Sequence, residues 1–301
     1  MKPFIKWPGG KTKELKIILN NLPSVINNYY EPFVGGGAVY LEINGCSKFY
    51  INDKSKELID LYLDIKNQKP RFLELIKEIN KCWKILETVS KNHLEEMAEV
   101  YNLYKKNNIS DEQLEDKIIS FIRTNSREFN GMLIKEFNID EEHLLFELNK
   151  NLSKKLKRMK KLEKEKGDLS LEDIRKNIET GFKSGLYMHF RYLYNNINKL
   201  NIDTSFANAI FYFIREYCYS SMFRYNSNGE FNVPYGGSSY NKKYLTDKIK
   251  YLKNKKILKI CTNGEIYEGK VEKIFIDEEK KYLMARINKS NHYISEIKIL
   301  N

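Results

Sequence analysis

A short apolar and aromatic run, Asn28 to Val34, leads straight into Gly35-Gly36-Gly37, and a second run, Lys48 to Asn52, ends in Asp53. Between them Ala38-Val39-Tyr40-Leu41-Glu42 follows helical spacing, so the stretch predicts strand, glycine turn, helix, strand and acid. That order is the first half of a nucleotide-binding sheet. Glycines at such a turn let the backbone approach a ligand closely and present amides to it. Asp53 stands 17 residues after the middle glycine, where an acid at a strand end is placed to bind ribose hydroxyls. The same carboxylate could cap a helix starting at Lys54, and the two roles can coexist.

The rest of the chain has a different texture. From Arg71 to about Leu200 the sequence carries helical periodicity with high charge, which predicts an inserted or appended helical subdomain. Within it, residues 154–166 hold eight cations against two acids, either a solvated helix face or a phosphate-facing one. Ser205 to Ser221 is rich in aromatics. From Ile257 onward apolar and polar residues alternate around Asn-Gly, Asp-Glu-Glu and Asn-Lys-Ser-Asn turns, predicting a small all-β module of four or five strands. The expected domains are therefore 1–67, 68–250 and 251–301, the last barrel-like.

A formal charge of +12 points to a partner carrying phosphates, although a lysine-rich composition gives part of that excess without one. Cys46, Cys82, Cys218 and Cys261 are scattered, with no Cys-x-x-Cys pair and no histidine at ligand spacing, so neither a zinc site nor a disulfide framework is expected. The N-terminal MKPFIKWPGGKTK has no long apolar stretch and no cleavage pattern, and no apolar run approaches membrane-spanning length. The expectation is a reduced, cytoplasmic protein with no membrane partner.

Four pieces in order carry a resemblance: KWPGGK at 6–11, EPFVGGGAV at 31–39, IND at 51–53 and FRYNSNGEFNVPYG at 223–236. Together they resemble the Dam-like, D12-class adenine-N6 DNA methyltransferases over residues 1 to about 67 and about 186 to 250. The resemblance implies an α/β chain: a partial Rossmann-like methyltransferase sheet, a helical target-recognition domain carrying a β-hairpin, and the small C-terminal all-β module. It implies S-adenosylmethionine as cofactor, held by Trp7, Lys11, the turn of Phe33, Gly35, Gly36 and Gly37, and Asp53. It implies double-stranded DNA as partner, with a displaced base, and Arg224 and Asn226 on the recognition hairpin as contacts. Tyr219 and Met222 stand where the family wedges or packs beside that base, with Asn228, Asn232 and Tyr235 completing the DNA-binding set; core packing is the alternative for Tyr219.

Asn232-Val233-Pro234-Tyr235 also comes within one residue of the Asp/Asn/Ser-Pro-Pro-aromatic turn with which amino-methyltransferases orient their target amine. The Asn228-Gly229 pair flanked by Tyr225 and Phe231 favours a hairpin instead. The family's catalytic Asp-Pro-Pro-Tyr follows that hairpin, yet the six prolines here, at 3, 8, 23, 32, 70 and 234, are never adjacent. No catalytic residue is therefore expected in this chain. The favoured expectation is one subunit of a two-chain, site-specific adenine-N6 methyltransferase of a restriction-modification system, the catalytic turn supplied by a second polypeptide; the alternative is a catalytically inactive DNA-binding or specificity protein.

Overall fold

The computed structural model describes residues 3, 5–44, 46, 48–129, 137–241 and 245, with Asn138 by its backbone alone, as are the strand residues 271–277, 282–287 and 290–293. The chain divides into two compact units, residues 1–68 with 250–301, and residues 69–249. Most of the described secondary structure is helical.

In the first unit, β1 (Asn28–Glu31) pairs in parallel with β2 (Lys48–Ile51), in a register that sets Asn28 against Lys48 and Glu31 against Ile51. Tyr30 and Tyr50, cross-strand neighbours, stack at 4.5 Å. The pairing continues into the turn, where the Asn52 amide donates to Glu31 O and the Val34 amide to Asn52 O. A short α1 (Leu15–Asn20) precedes the strands and α2 (Lys56–Lys66) follows them. Two local expectations are corrected here. Residues 38–42 form successive turns, with the Leu41 amide on Gly37 O and the Glu42 amide on Val39 O, because six residues between a glycine run and Asn44 are too few to offset helix nucleation. The cap of α2 is Ser55, whose Oγ accepts the Leu58 amide at 3.2 Å, while Asp53 accepts the amide of Ser55 itself.

Toward the C-terminus, β3 (Val271–Asp277), β4 (Tyr282–Ile287) and β5 (Ser290–Tyr293) make an antiparallel sheet in the order β3-β4-β5. The remainder of the expected 251–301 module lies outside the described residues.

The second unit is a bundle of α3 (Pro70–Asn92), α4 (Leu94–Lys105), α5 (Asp111–Thr124), the short α6 (Ser126–Phe129), α7 (Glu141–Lys166), α8 (Leu171–Asn195) and α9 (Thr204–Tyr217). Side-chain oxygens of Ser110, Asp140, Ser170 and Asp203 start α5, α7, α8 and α9, each accepting an amide one turn in. The antiparallel α7 and α8 touch through backbone: a Cβ at Gly185 would lie 2.6 Å from Leu148 Cα, and one at Gly181 2.8 Å from Leu152 Cδ1. Trp83 on α3 is fully buried, edge-on to Phe213 and Tyr217 of α9 and to Tyr235, at 5.5, 4.7 and 5.6 Å between ring centroids. Beside it the ammonium of Lys183, with no exposed surface, donates to Glu179 at 2.8 Å and to Asn241 O at 2.7 Å. An ion taken out of water persists only when paired and hydrogen-bonded in this way.

Among the described residues no helix is long and apolar enough to cross a membrane. Cys46, Cys82 and Cys218 are buried and form no disulfide, and Cys261 lies outside the described residues.

Candidate functional site

The first unit contains a cleft of about 590 Å³ lined by Trp7, Lys11, Phe33, Gly35, Gly36 and Asp53, along with Glu31. Its floor is the glycine turn, and its wall is the N-terminal segment folded over that turn. Trp7-Pro8-Gly9-Gly10 closes with the Gly10 amide on Trp7 O, Gly9 taking φ +71°, which is the left-handed position that follows proline in a type II turn. The closed turn sets the Trp7 ring on Gly35, where a Cβ would meet Trp7 Cδ1 at 2.8 Å. Ile5 O lies so close to Gly36 that a Cβ there would be 2.3 Å away. A side chain at Gly35 would take the space of the Trp7 ring, and one at Gly36 would fill the approach that two main chains share.

Asp53 Oδ2 accepts the Gly35 amide at 2.9 Å and Oδ1 the Ser55 amide at 3.1 Å, so the buried carboxylate ties the glycine turn to the start of α2. Tyr62 of α2 completes the brace by donating its hydroxyl to Gly35 O at 3.0 Å. Gly37 lies behind the cleft with φ +72°, a Cβ there being 2.7 Å from the Tyr62 hydroxyl. Phe33 is 68% exposed at the rim, and Lys11 is exposed.

Sequence reasoning gave no role to Glu31, which lines the same cleft. Its Oε2 accepts from the Tyr29 hydroxyl at 2.9 Å and the Tyr40 amide at 3.0 Å. Burial nevertheless pushes its carboxyl up to about 7, against the pull of those two donors. The signal for it was an acid at the end of β1, directly before the glycine turn.

In the second unit, the segment after α9 forms a hairpin. The Asn226 amide donates to Glu230 O and the Asn232 amide to Arg224 O, with Tyr225 opposite Phe231 and Cys218 opposite Tyr235. At the tip the Gly229 amide reaches Asn226 O, and Gly229 adopts φ +76°. Asn226 shapes this tip from within: its Oδ1 accepts the Asn228 and Glu230 amides, and its Nδ2 donates to Glu230. Arg224 grips Asn232 across the hairpin, Nε to Oδ1 at 2.7 Å and Nη2 to the carbonyl at 3.2 Å. Asn195 of α8 bonds both main-chain groups of Phe231, and Tyr187 and Arg191 both donate to Val233 O.

Of the hairpin residues singled out from sequence, Arg224 and Asn228 are exposed, while Asn226 and Asn232 are half-buried in the contacts above. Tyr219 and Met222 project from the bend at its base, 53% and 38% exposed, and Phe223 beside them, unremarked in the sequence, is 39% exposed. The bend passes through Ser220 and Ser221, both with positive φ, and is held by the buried Arg215, which donates to Met222 O at 2.6 Å beneath the Phe223 ring. Tyr235 differs from its expected place: it is buried, with its hydroxyl on Asn241 Oδ1 at 2.9 Å, and serves as a foundation of the hairpin.

The description of the D12 class N6 adenine-specific DNA methyltransferases matches residues 7–161 and 137–282. A type II methyltransferase, M.MjaIII of Methanocaldococcus jannaschii, is 30% identical over 230 residues, covering 69% of this chain and 74% of that protein. A second, M1.LlaDCHI of Lactococcus lactis subsp. cremoris, is 40% identical over 76 residues, about a quarter of either chain (25% and 26%). The DNA adenine methylase of Escherichia coli K12 is 28% identical over 142 residues, 46% of each. The chain thus spans less than half the length of the latter two relatives.

Proposed function

The chain belongs to the D12 class N6 adenine-specific DNA methyltransferase family, and we propose that it is the cofactor-binding and DNA-recognition subunit of a two-chain adenine-N6 methyltransferase of a restriction-modification system. The observation that carries the reading is a contrast. The cleft built from the glycine turn, Trp7 and Asp53 has its parts braced together, whereas 301 residues contain no adjacent prolines and so no Asp-Pro-Pro-Tyr turn.

The cleft suits S-adenosylmethionine. Its volume lies within the range of roughly 300–1,000 Å³ usual for small-molecule sites, and the floor is cleared of side chains at the two glycines where the backbone must come close. Bound there, the cofactor supplies an activated methyl group. The chain's own contribution is binding and orientation: Asp53 at the ribose hydroxyls, Trp7 and Phe33 as apolar walls, Lys11 at the rim, and the main chain of Gly35 and Gly36 as the floor, with Gly37 fixing the turn from behind. In the second unit, Arg224 and Asn228 face base edges, and Tyr219 with Met222 stands beside the extruded base. The acceptor for the target amine comes from the second polypeptide, whose Asp-Pro-Pro-Tyr turn positions it.

Transfer of tritiated methyl groups to duplex DNA tests this, run with the chain alone and with an Asp-Pro-Pro-Tyr polypeptide encoded in an adjacent reading frame. Activity only in the mixture is the expected result. Activity of the lone chain would place the catalytic turn within these residues, and DNA binding without activity in either case would make the protein a specificity module.

A further inference from the structure

The fold sorts the cations of α7 into two groups. Lys157 lies between Asp111 and Glu115, at 3.0 and 3.1 Å. Lys160 donates to Tyr104 O and to Asn107 Oδ1, its ammonium 4.0 Å above the Tyr104 ring. Glu163, an acid of the same run, is buried and engaged by Tyr101, Lys105 and the Leu169 amide. Lys154, Arg158 and Lys161 remain outward, all exposed and spaced i, i+4, i+7 along one helix face, with Lys164 and Lys166 exposed beyond them in the last turn. No carboxylate lies within ion-pair reach of these three among the described residues.

We propose that Lys154, Arg158 and Lys161 form a contact surface for the sugar-phosphate backbone of duplex DNA, separate from the hairpin that reads bases. The inference rests on the reading of DNA as partner. The three residues span about 10.5 Å of helix axis, about three base steps at ~3.4 Å per step along one strand. Leu152 meets Gly181, so the stripe lies level with the first turns of α8, while Tyr187 to Asn195 hold the hairpin roughly 20 Å further along that helix. About six base pairs cover such a distance. Lys155, half-buried next to Arg158, has its ammonium held below the ordinary lysine range by burial and by that guanidinium. Like charges packed together without a counter-acid cost stability, and a polyanion laid over them relieves the cost.

The test is the salt dependence of binding to a labelled random-sequence duplex by the full chain, read by fluorescence anisotropy over a sodium chloride series. In the variant K154Q/R158Q/K161Q, the slope of log affinity against log salt is expected to fall by about 2.7, from 0.9 per phosphate released. A control, K77Q/K81Q/K84Q, removes equal charge from exposed positions at the same spacing on α3 and is expected to keep the wild-type slope. An unchanged slope in the α7 variant, or an equal fall in the control, overturns the surface while leaving the DNA-binding reading intact. Failure of the wild-type chain to bind any duplex at low salt overturns both.

Discussion

Asp53 and Gly35, 18 residues apart in the chain, are joined by a 2.9 Å hydrogen bond from the glycine amide to the carboxylate. One side chain therefore both shapes the floor of the cleft and lines it. Asp53→Ala is expected to lower cofactor affinity and also to cost about 1–3 kcal/mol of stability through the two amides it leaves unpaired. Calorimetric titration with S-adenosylmethionine beside thermal unfolding separates the effects. Asp53→Asn, which keeps an acceptor for Gly35, should recover much of the stability but not the affinity.

Gly36→Ala makes a sharper probe of the turn. Its methyl group would stand 2.3 Å from Ile5 O, a main-chain atom that cannot rotate away. The N-terminal segment has to lift from the turn, carrying Trp7 with it. Cofactor affinity should fall at least tenfold while the helical unit keeps its unfolding transition, and Trp7 fluorescence should shift as the ring leaves Gly35.

Arg224 and Asn232 work as a pair. Because Arg224 Nε is fastened to Asn232 Oδ1, the guanidinium is pre-aimed, and fixing a long side chain beforehand reduces the entropy lost on binding. Arg224→Ala should cost about 1–3 kcal/mol of discrimination between target and random duplex. Asn232→Ala should cause a smaller loss in the same direction, and the two should be non-additive in a double-mutant cycle read by competition binding. Equal loss on both duplexes would remove the base-reading role.

Glu31 makes the first unit sensitive to pH. Its folded carboxyl titrates near 7, whereas an ordinary glutamate in the unfolded chain titrates at ~4.3. Between those values the folded chain holds the extra proton, so stability is greatest at the acid end of the window and declines as pH rises through it. Glu31→Gln should flatten that decline in melting temperature measured from about pH 4.3 to 7.

The βxβ order and the glycine turn were legible because strand, turn and acid follow one another locally; the parallel pairing of Asn28 with Lys48 is what such a crossover requires. The hairpin tip was legible at Asn228-Gly229, since a left-handed residue is needed there. Residues 38–42 misled because five residues at helical spacing satisfy periodicity without satisfying nucleation. Tyr235 misled for another reason: the aromatic socket that buries it is made by Trp83 and Tyr187, residues distant in the chain, and closed by Asn241. The split within 154–166 was likewise invisible, because Asp111, Glu115 and Tyr104, which occupy Lys157 and Lys160, lie on other helices or the loops between them.

Beneath the packed side chains of Phe231, Val233 and Tyr235, the helical frame directs most of its hydrogen bonds to the main chain of the hairpin and of the segment after it. Asn195 bonds the amide and carbonyl of Phe231, Tyr187 and Arg191 bond the carbonyl of Val233, and Trp83 and Lys183 bond the carbonyl of Asn241. Every peptide offers those atoms, whatever its side chains. The exposed letters of the tip, such as Ser227 and Asn228, can consequently be rewritten while the mounting stays the same, so new target sequences can evolve, or be engineered, by exchanging the tip alone.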